Sequence, residues 1–320
     1  MEYCASRERR VKLYVVTSDN SCQMSEPKGD AMEPENTGID LSCYDLHSHT
    51  TASDGMLTPE QLLDRAVEMR VTVLAITDHD TTDALPAAHH YQQANNLPLT
   101  VINGVEISTL WEHHEIHIVG LNIDITHPAM TELLAQQSER RRARGMLISE
   151  RLAKAGIEGT WEEANEMAQG GEVTRGHFAR VLIARGVEPT IPKVFKRYLA
   201  RNKTGYVPPQ WCDIPDAVQA IHAAGGQAVL AHPGRYGLSA KWLKRLCDFF
   251  KQAGGDGMEV AQCQQAPDER RTLAQYAITY GLKASQGSDF HQPCSWIELG
   301  RKLWLPGDVI PIWQDWSLKD

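Results

Sequence analysis

Six imidazoles and three carboxylates of this chain fall at or just after the ends of short apolar runs, where they can bind cations. Asp45-Leu46-His47-Ser48-His49 ends in two histidines, and Asp54 follows across the polar turn Thr50 to Gly55. Thr77-Asp78-His79-Asp80 closes a second run, Asn103-Gly104-Val105-Glu106 lies in a third, and His117 sits in the alternating stretch Glu115 to Leu121. Ala231-His232-Pro233 and Gln286-Gly287-Ser288-Asp289-Phe290-His291 complete the set. Residues two apart in a strand project the same way, so His47 and His49 can grip one ion together. A strand-helix-strand unit would bring His79 to the same sheet edge. The candidate ligands are therefore His47, His49, Asp54, His79, Glu106, His117, His232, Asp289 and His291. Nine donors exceed the capacity of one ion, since zinc usually takes four ligands and other divalent cations about six. Two or three metals bridged by carboxylates solve this. With no cysteine among them, the mixed nitrogen and oxygen donors suit Mn²⁺, Zn²⁺ or Fe²⁺ alike.

Alternating strands and helices must position these groups. Thr58-Pro59-Glu60-Gln61 reads as a capping box opening a helix whose apolar face includes Leu62, Leu63, Ala66, Val67 and Met69. Strands are expected over 73–77, 99–107, 115–121, 227–231, 257–260 and 282–285, with helices over 81–95, 215–224, 240–252 and 267–280. About seven strands in this order predict a barrel-like α/β fold with reactive groups at the carboxyl ends of its strands. Residues 129–206 interrupt the order with a predominantly helical stretch, expected to be a small inserted cap domain between barrel segments 41–128 and 207–320. Between Gln136 and Gly205, fourteen Lys and Arg face eight Glu, so this stretch is +6 and the remainder −15. Solvated helix faces account for most such arginines, including several of Arg140, Arg141, Arg142 and Arg144. A basic cap over an acidic, metal-rich mouth would also attract phosphorylated substrates. Residues 1–40 are polar and read as a disordered leader.

The chain of 320 residues carries a net charge of −9, so no overall basic field marks a duplex-coating protein. Seven cysteines without any Cys-x-x-Cys argue against a disulfide framework or zinc ribbon and fit a reducing cytoplasm. There is no apolar run of membrane-spanning length, no P-loop, no dinucleotide-binding glycine fingerprint and no nucleophile elbow. His89, His90, His113, His114, His127 and His222 lie away from strand ends and read as surface or packing residues.

The set His-x-His with Asp54-Gly55, Thr77-Asp78-His79-Asp80, Gly104-x-Glu106, His117, Ala231-His232-Pro233 and Gly287-Ser288-Asp289-x-His291 resembles the polymerase and histidinol phosphatase (PHP) superfamily. Val173-Thr174-Arg175-Gly176-His177-Phe178, Gly205-Tyr206-Val207-Pro208 and Ala231-His232-Pro233-Gly234 resemble more narrowly its bacterial branch of 3′,5′-nucleoside bisphosphate phosphatases, also described as 5′-to-3′ exoribonucleases. The resemblance covers Tyr44 to the C-terminus. It implies a distorted (βα)7 barrel of PHP type with the inserted helical domain, and two or three ions, usually Mn²⁺, held by the nine residues above. It further implies removal of the 3′-phosphate from nucleoside bisphosphates and 5′-to-3′ cleavage of short 5′-monophosphorylated RNA, with a metal-bridging hydroxide as nucleophile. Asp80, Arg175, Gly176, His177, Phe178 and His291 fall at positions that contact substrate, with Asp80, Arg175 and His291 taking part in catalysis. Asp80 would either orient a ligand histidine or protonate the leaving oxygen. Nucleotides and short single-stranded RNA are the expected partners, with no membrane and no obligate protein partner. Competing readings are phosphomonoester hydrolysis of a metabolite such as histidinol phosphate and a non-catalytic nucleic-acid-binding module. Amidohydrolases also open with His-x-His, but Thr77-Asp78-His79 and the Asp289-x-His291 pair argue against them.

Overall fold

A computed structural model describes residues 42–317, so the expected leader lies outside the described residues. Eight strands form one mixed sheet: β1 (Tyr44–Asp45), β2 (Val73–Ile76), β3 (Thr100–Trp111), β4 (His114–Leu121), β5 (Cys212–Asp213), β6 (Gln227–Leu230), β7 (Gly257–Ala261) and β8 (Lys283–Gln286). The order is β1-β2-β3-β4-β6-β7-β8, with β5 added beside β3. Beyond the two ends, the Leu46 N–H donates to the Gln286 carbonyl at 3.0 Å and the His49 N–H to the Phe290 carbonyl at 2.9 Å. These bonds curl the sheet into a nearly closed barrel and set the chain after β1 against the chain after β8.

The distortion of the barrel lies in β3 and β4. They form an antiparallel hairpin, and β4 also pairs antiparallel with β6, whereas the other neighbours are parallel. A connection this short cannot carry the crossover helix that a parallel pair requires. Strand β3 runs past the expected end at Ile107 because Ser108 to Trp111 pair with His117 to His114.

Helix α1 (Pro59–Glu68) has the expected capping box at Thr58 and buries Leu62, Leu63 and Ala66. Helix α2 begins at Ala84, not at 81, and extends to Ala94. Pro86 is thereby placed in the first turn, where backbone N–H groups lack intrahelical partners in any case. Alternation along β2 divides its side chains: Leu74 and Ile76 pack in the cluster with α1 and α2, while Val73 and Ala75 join Tyr44, Leu46, Ile102, Val119, Leu121, Val229 and Ala231. The second group comes from successive strands and fills the barrel interior. Ile312 completes it; Trp313 stacks on Tyr44 at 4.3 Å, and the Trp316 indole N–H donates to Gln227 at 2.6 Å. Tyr44 and Gln227 begin their strands, so the segment from 311 to 316 closes the amino-terminal end of the barrel.

The helical interruption begins with α3 (Pro128–Lys154) and continues through α4 (Thr160–Ala168), α5 (Arg175–Ala184) and α6 (Ile191–Val194), which passes into a π turn over Phe195–Leu199. It has its own apolar cluster, including Ile148, Leu152, Phe178, Val181, Leu182 and Leu199. Helices α7 (Ile214–Ala223), α8 (Ala240–Gln252) and α9 (Pro267–Tyr280) cover the returning strands. Among the described residues, no helix is long and apolar enough to cross a membrane.

Candidate metal centre

All nine predicted donors meet at the carboxyl end of the barrel. Glu106 is the hub. Its Oε1 lies 2.8 Å from both His117 Nδ1 and His232 Nε2, and its Oε2 lies 3.3 Å from His47 Nε2 and His49 Nε2 and 3.0 Å from His79 Nδ1. Asp289 Oδ1 sits 3.1 Å from His49 Nε2 and 3.5 Å from His47 Nε2. Asp54 Oδ1 is 3.2 Å from His291 Nε2. Three overlapping groups have the spacing to hold an ion: His49, Asp54, His79 and His291; His47, His49, Glu106 and Asp289; and His79, Glu106 and His117. The shared members place any such ions next to one another.

The hydrogen bonding also fits cations. Eight buried side-chain nitrogen and oxygen atoms lack a hydrogen-bond partner among the described residues, and three of them, Asp54 Oδ1, His79 Nδ1 and Glu106 Oε2, are atoms that face other donors of the cluster. Buried polar atoms rarely go unpaired, and His79 Nδ1 and Glu106 Oε2 approach each other without forming a hydrogen bond. A shared cation between these lone pairs removes the penalty. Burial pushes the His49 imidazole down to about 3, with His291 adding to the shift, so this ring presents lone pairs at neutral pH. Burial opposes ionisation of Glu106, yet His79 and His47 outweigh it and hold the carboxyl well below its ordinary range.

Local sequence explains the convergence. Asp78 accepts from the Thr50 N–H at 2.8 Å, the Thr50 hydroxyl at 2.6 Å and the Ser53 hydroxyl at 2.6 Å, which folds the turn back and delivers Asp54. A Cβ at Gly287 would lie 2.3 Å from the His47 Cβ, so glycine is what lets the chain after β8 pass beside the His47 strand end. Asp80, His232 and Asp289 all have positive φ, at 53°, 28° and 54°. Backbone strain of this kind collects at sites where the surroundings fix it.

Beside the donors lies a cavity of about 390 Å³, within the usual range for a small-molecule site. Arg175, Gly176, Phe178 and His291 line it. His177 does not line it: its Nδ1 accepts the Thr174 N–H at 3.0 Å, so the ring caps the start of α5. Asp80 does not line it either. It is 1% exposed, and its carboxylate accepts from the Ser108 N–H at 2.8 Å and Gln137 Nε2 at 3.2 Å and pairs with Arg141. Ser108 and Arg141 line the cavity and Asp80 does not, so the carboxylate sits behind the cavity wall, between barrel and insertion. Of the histidines away from strand ends, His89 bonds Asn103, His127 caps α3 and His222 pairs with Asp256.

The sequence reading missed several residues of this cavity. Arg141, Arg144, Arg180, Arg235, Glu115 and Trp211 also line it. Glu115 meets Arg144 Nη2 at 3.1 Å and Arg175 Nη2 at 3.2 Å; burial opposes its ionisation, but Arg175 and Arg144 win and hold the carboxyl down to about 2. Trp211 receives the Arg141 and Arg144 guanidinium groups on its ring at 4.9 and 5.3 Å. The signal was present in the periodicity of α3: Met130, Leu134, Gln137, Arg141, Arg144, Ile148 and Leu152 form one buried stripe, polar only where it crosses the site.

A model of the PHP domain family matches residues 45–206. The chain is 67% identical over 274 residues to a 5′-3′ exoribonuclease of Salmonella typhimurium, covering 86% of this chain and 94% of that protein. It is 41% identical over 277 residues to a 3′,5′-nucleoside bisphosphate phosphatase of Chromobacterium violaceum, covering 86% and 96%. Among solved structures, an amidohydrolase of Chromobacterium violaceum with bound sulfate and no metal superposes with a TM-score of 0.80 at 40% identity, covering 85% of this chain and 95% of that one. A protein assigned as a metal-dependent phosphoesterase of Bifidobacterium adolescentis superposes with a TM-score of 0.71 at 26% identity, covering 85% and 93%.

Proposed function

This chain belongs to the PHP domain family, and from that premise we propose that it is a metal-dependent phosphoesterase acting on nucleoside 3′,5′-bisphosphates, from which it removes the 3′-phosphate, and on short 5′-monophosphorylated RNA in the 5′-to-3′ direction. The observation that carries this reading is the junction of three overlapping donor groups with a cavity lined by arginines. Its ligands are Glu106 and the eight other donors named above, and its cofactor is Mn²⁺, two or three ions per chain, with Zn²⁺ or Fe²⁺ compatible with the same donors. Bound divalent cations supply charge neutralisation at phosphate oxygens and activation of water near neutral pH.

The chain's own residues supply the rest. Arg175 is held by Glu115 at 3.2 Å and lies over the Phe195 ring at 5.7 Å, which aims a fixed fork of donors at a phosphate in the cavity. Phe178, Ile191 and Phe195 give the same cavity an apolar wall suited to the nucleoside. His291 stands with Asp54 at the border between donors and cavity, within reach of both ions and substrate. The insertion, residues 129–206, acts as the cap that brings Arg141, Arg144, Arg175 and Arg180 over the barrel mouth. The five described cysteines are free, which suits the reducing cytoplasm proposed for this chain.

The test is a comparison of kcat/KM for the Mn²⁺-loaded protein on a nucleoside 3′,5′-bisphosphate, a 5′-phosphorylated oligoribonucleotide, histidinol phosphate, and an amide or lactone. The two nucleotide substrates should lead; preference for histidinol phosphate or the carbonyl substrate defeats the reading. Arg175→Ala should lower kcat/KM on the nucleotide substrates roughly 10- to 100-fold, the worth of a charged hydrogen bond. Metal content measured by mass spectrometry should stay unchanged, and a loss of metal would show that Arg175 supports the ions instead.

A further inference from the structure

Glu259 is a further buried carboxylate at the barrel mouth, outside the nine donors and absent from the cavity lining. It lies on β7, is 1% exposed, and has both oxygens engaged. Oε1 lies 2.6 Å from His47 Nδ1, while Oε2 accepts the backbone N–H of His232 at 2.6 Å and Gln262 Nε2 at 3.0 Å. We propose that Glu259 is a positioning residue that aligns His47 and His232 for cation binding; this rests on the metal-dependent reading above.

The argument is one of donors and acceptors. A histidine that ligates a cation is a neutral ring with one N–H; with Glu259 Oε1 2.6 Å from Nδ1, that proton belongs on Nδ1, and Nε2 is left to offer its lone pair toward Glu106 Oε2 and Asp289 Oδ1, 3.3 and 3.5 Å away. The same carboxylate anchors the His232 amide at a positive φ of 28°, a conformation costly for a residue with a Cβ. One side chain thus sets the tautomer of a ligand after β1 and the backbone of a ligand after β6. Glutamine cannot replace it. Its amide offers one acceptor oxygen and one NH₂, yet three donors, the His47 ring N–H, the His232 amide and Gln262 Nε2, are shared between the two carboxylate oxygens. Either the His232 N–H loses its partner, or the His47 ring turns its proton toward the ions.

Glu259→Gln is therefore expected to keep the barrel's far-UV spectrum while weakening Mn²⁺ binding 10- to 100-fold, about the effect of removing the group that orients a ligand histidine. Calorimetric Mn²⁺ titration reads this directly, and excess Mn²⁺ should restore hydrolysis. Unchanged Mn²⁺ affinity and stoichiometry in the folded variant overturn the proposal. Failure of the wild-type protein to bind divalent cations instead sinks the metal reading itself. Long-range ¹H–¹⁵N spectra of the Zn²⁺-loaded wild type need no substitution: His47 should be protonated at Nδ1, and protonation at Nε2 overturns the proposal even if the variant does not fold.

Discussion

Glu106→Gln is expected to leave a folded protein that releases phosphate slower by a factor on the order of 10³ or more, the scale on which loss of electrostatic stabilisation shows in hydrolases. Five histidines, His47, His49, His79, His117 and His232, have a ring nitrogen within 3.3 Å of this one wholly buried carboxylate. The amide preserves shape, so the pairing of Glu106 with Val119 across the hairpin survives. It also removes the negative charge shared by the donor groups and turns an NH₂ toward nitrogens that must offer lone pairs. Phosphate release under saturating substrate, metal content and the far-UV spectrum are the three measurements. A folded variant with wild-type turnover would show that the nine side chains meet for some other reason.

The second large effect concerns stability. Asp80→Asn should lower unfolding stability by about 3–5 kcal/mol, the cost of stranding a buried charge, and the melting temperature by roughly 10 °C. Arg141 is 7% exposed, and without Asp80 its remaining acidic neighbour is Glu172 at 3.9 Å. Replacing both partners, Asp80→Asn with Arg141→Met, should recover most of the loss, because an apolar side chain of similar length needs no counter-charge. If Asp80 touches substrate instead, the single variant will melt normally and fail in KM or kcat, and the double variant will recover nothing.

The donor positions were legible because strands have a period of two and a barrel gathers the carboxyl ends of its strands at one rim. His-x-His, Gly-x-Glu and Asp-x-His each expose that period in a few letters. Asp80 and His177 sit in equally suggestive motifs, but their partners come from elsewhere in space or from the backbone. Arg141 reaches Asp80 across 61 positions, and the His177 ring serves its own helix start in a Thr174 capping arrangement that single-letter motifs do not distinguish from a substrate contact. Buried arginines within a charged run were hidden for a related reason: Arg142 is exposed while Arg141 and Arg144 are buried, and only the register of α3 with its apolar stripe separates them. The hairpin was underestimated because Ser108 to Trp111 owe their strand conformation to pairing with His114 to His117.

The closure of the barrel has a consequence for synthesis. His47 and His49 emerge from the ribosome well before Asp289 and His291, and Ile312 and Trp313 at the opposite end of the barrel follow later still. A nascent chain therefore carries half a rim and an unstoppered floor until these later residues emerge, and hydrolytic competence waits for them.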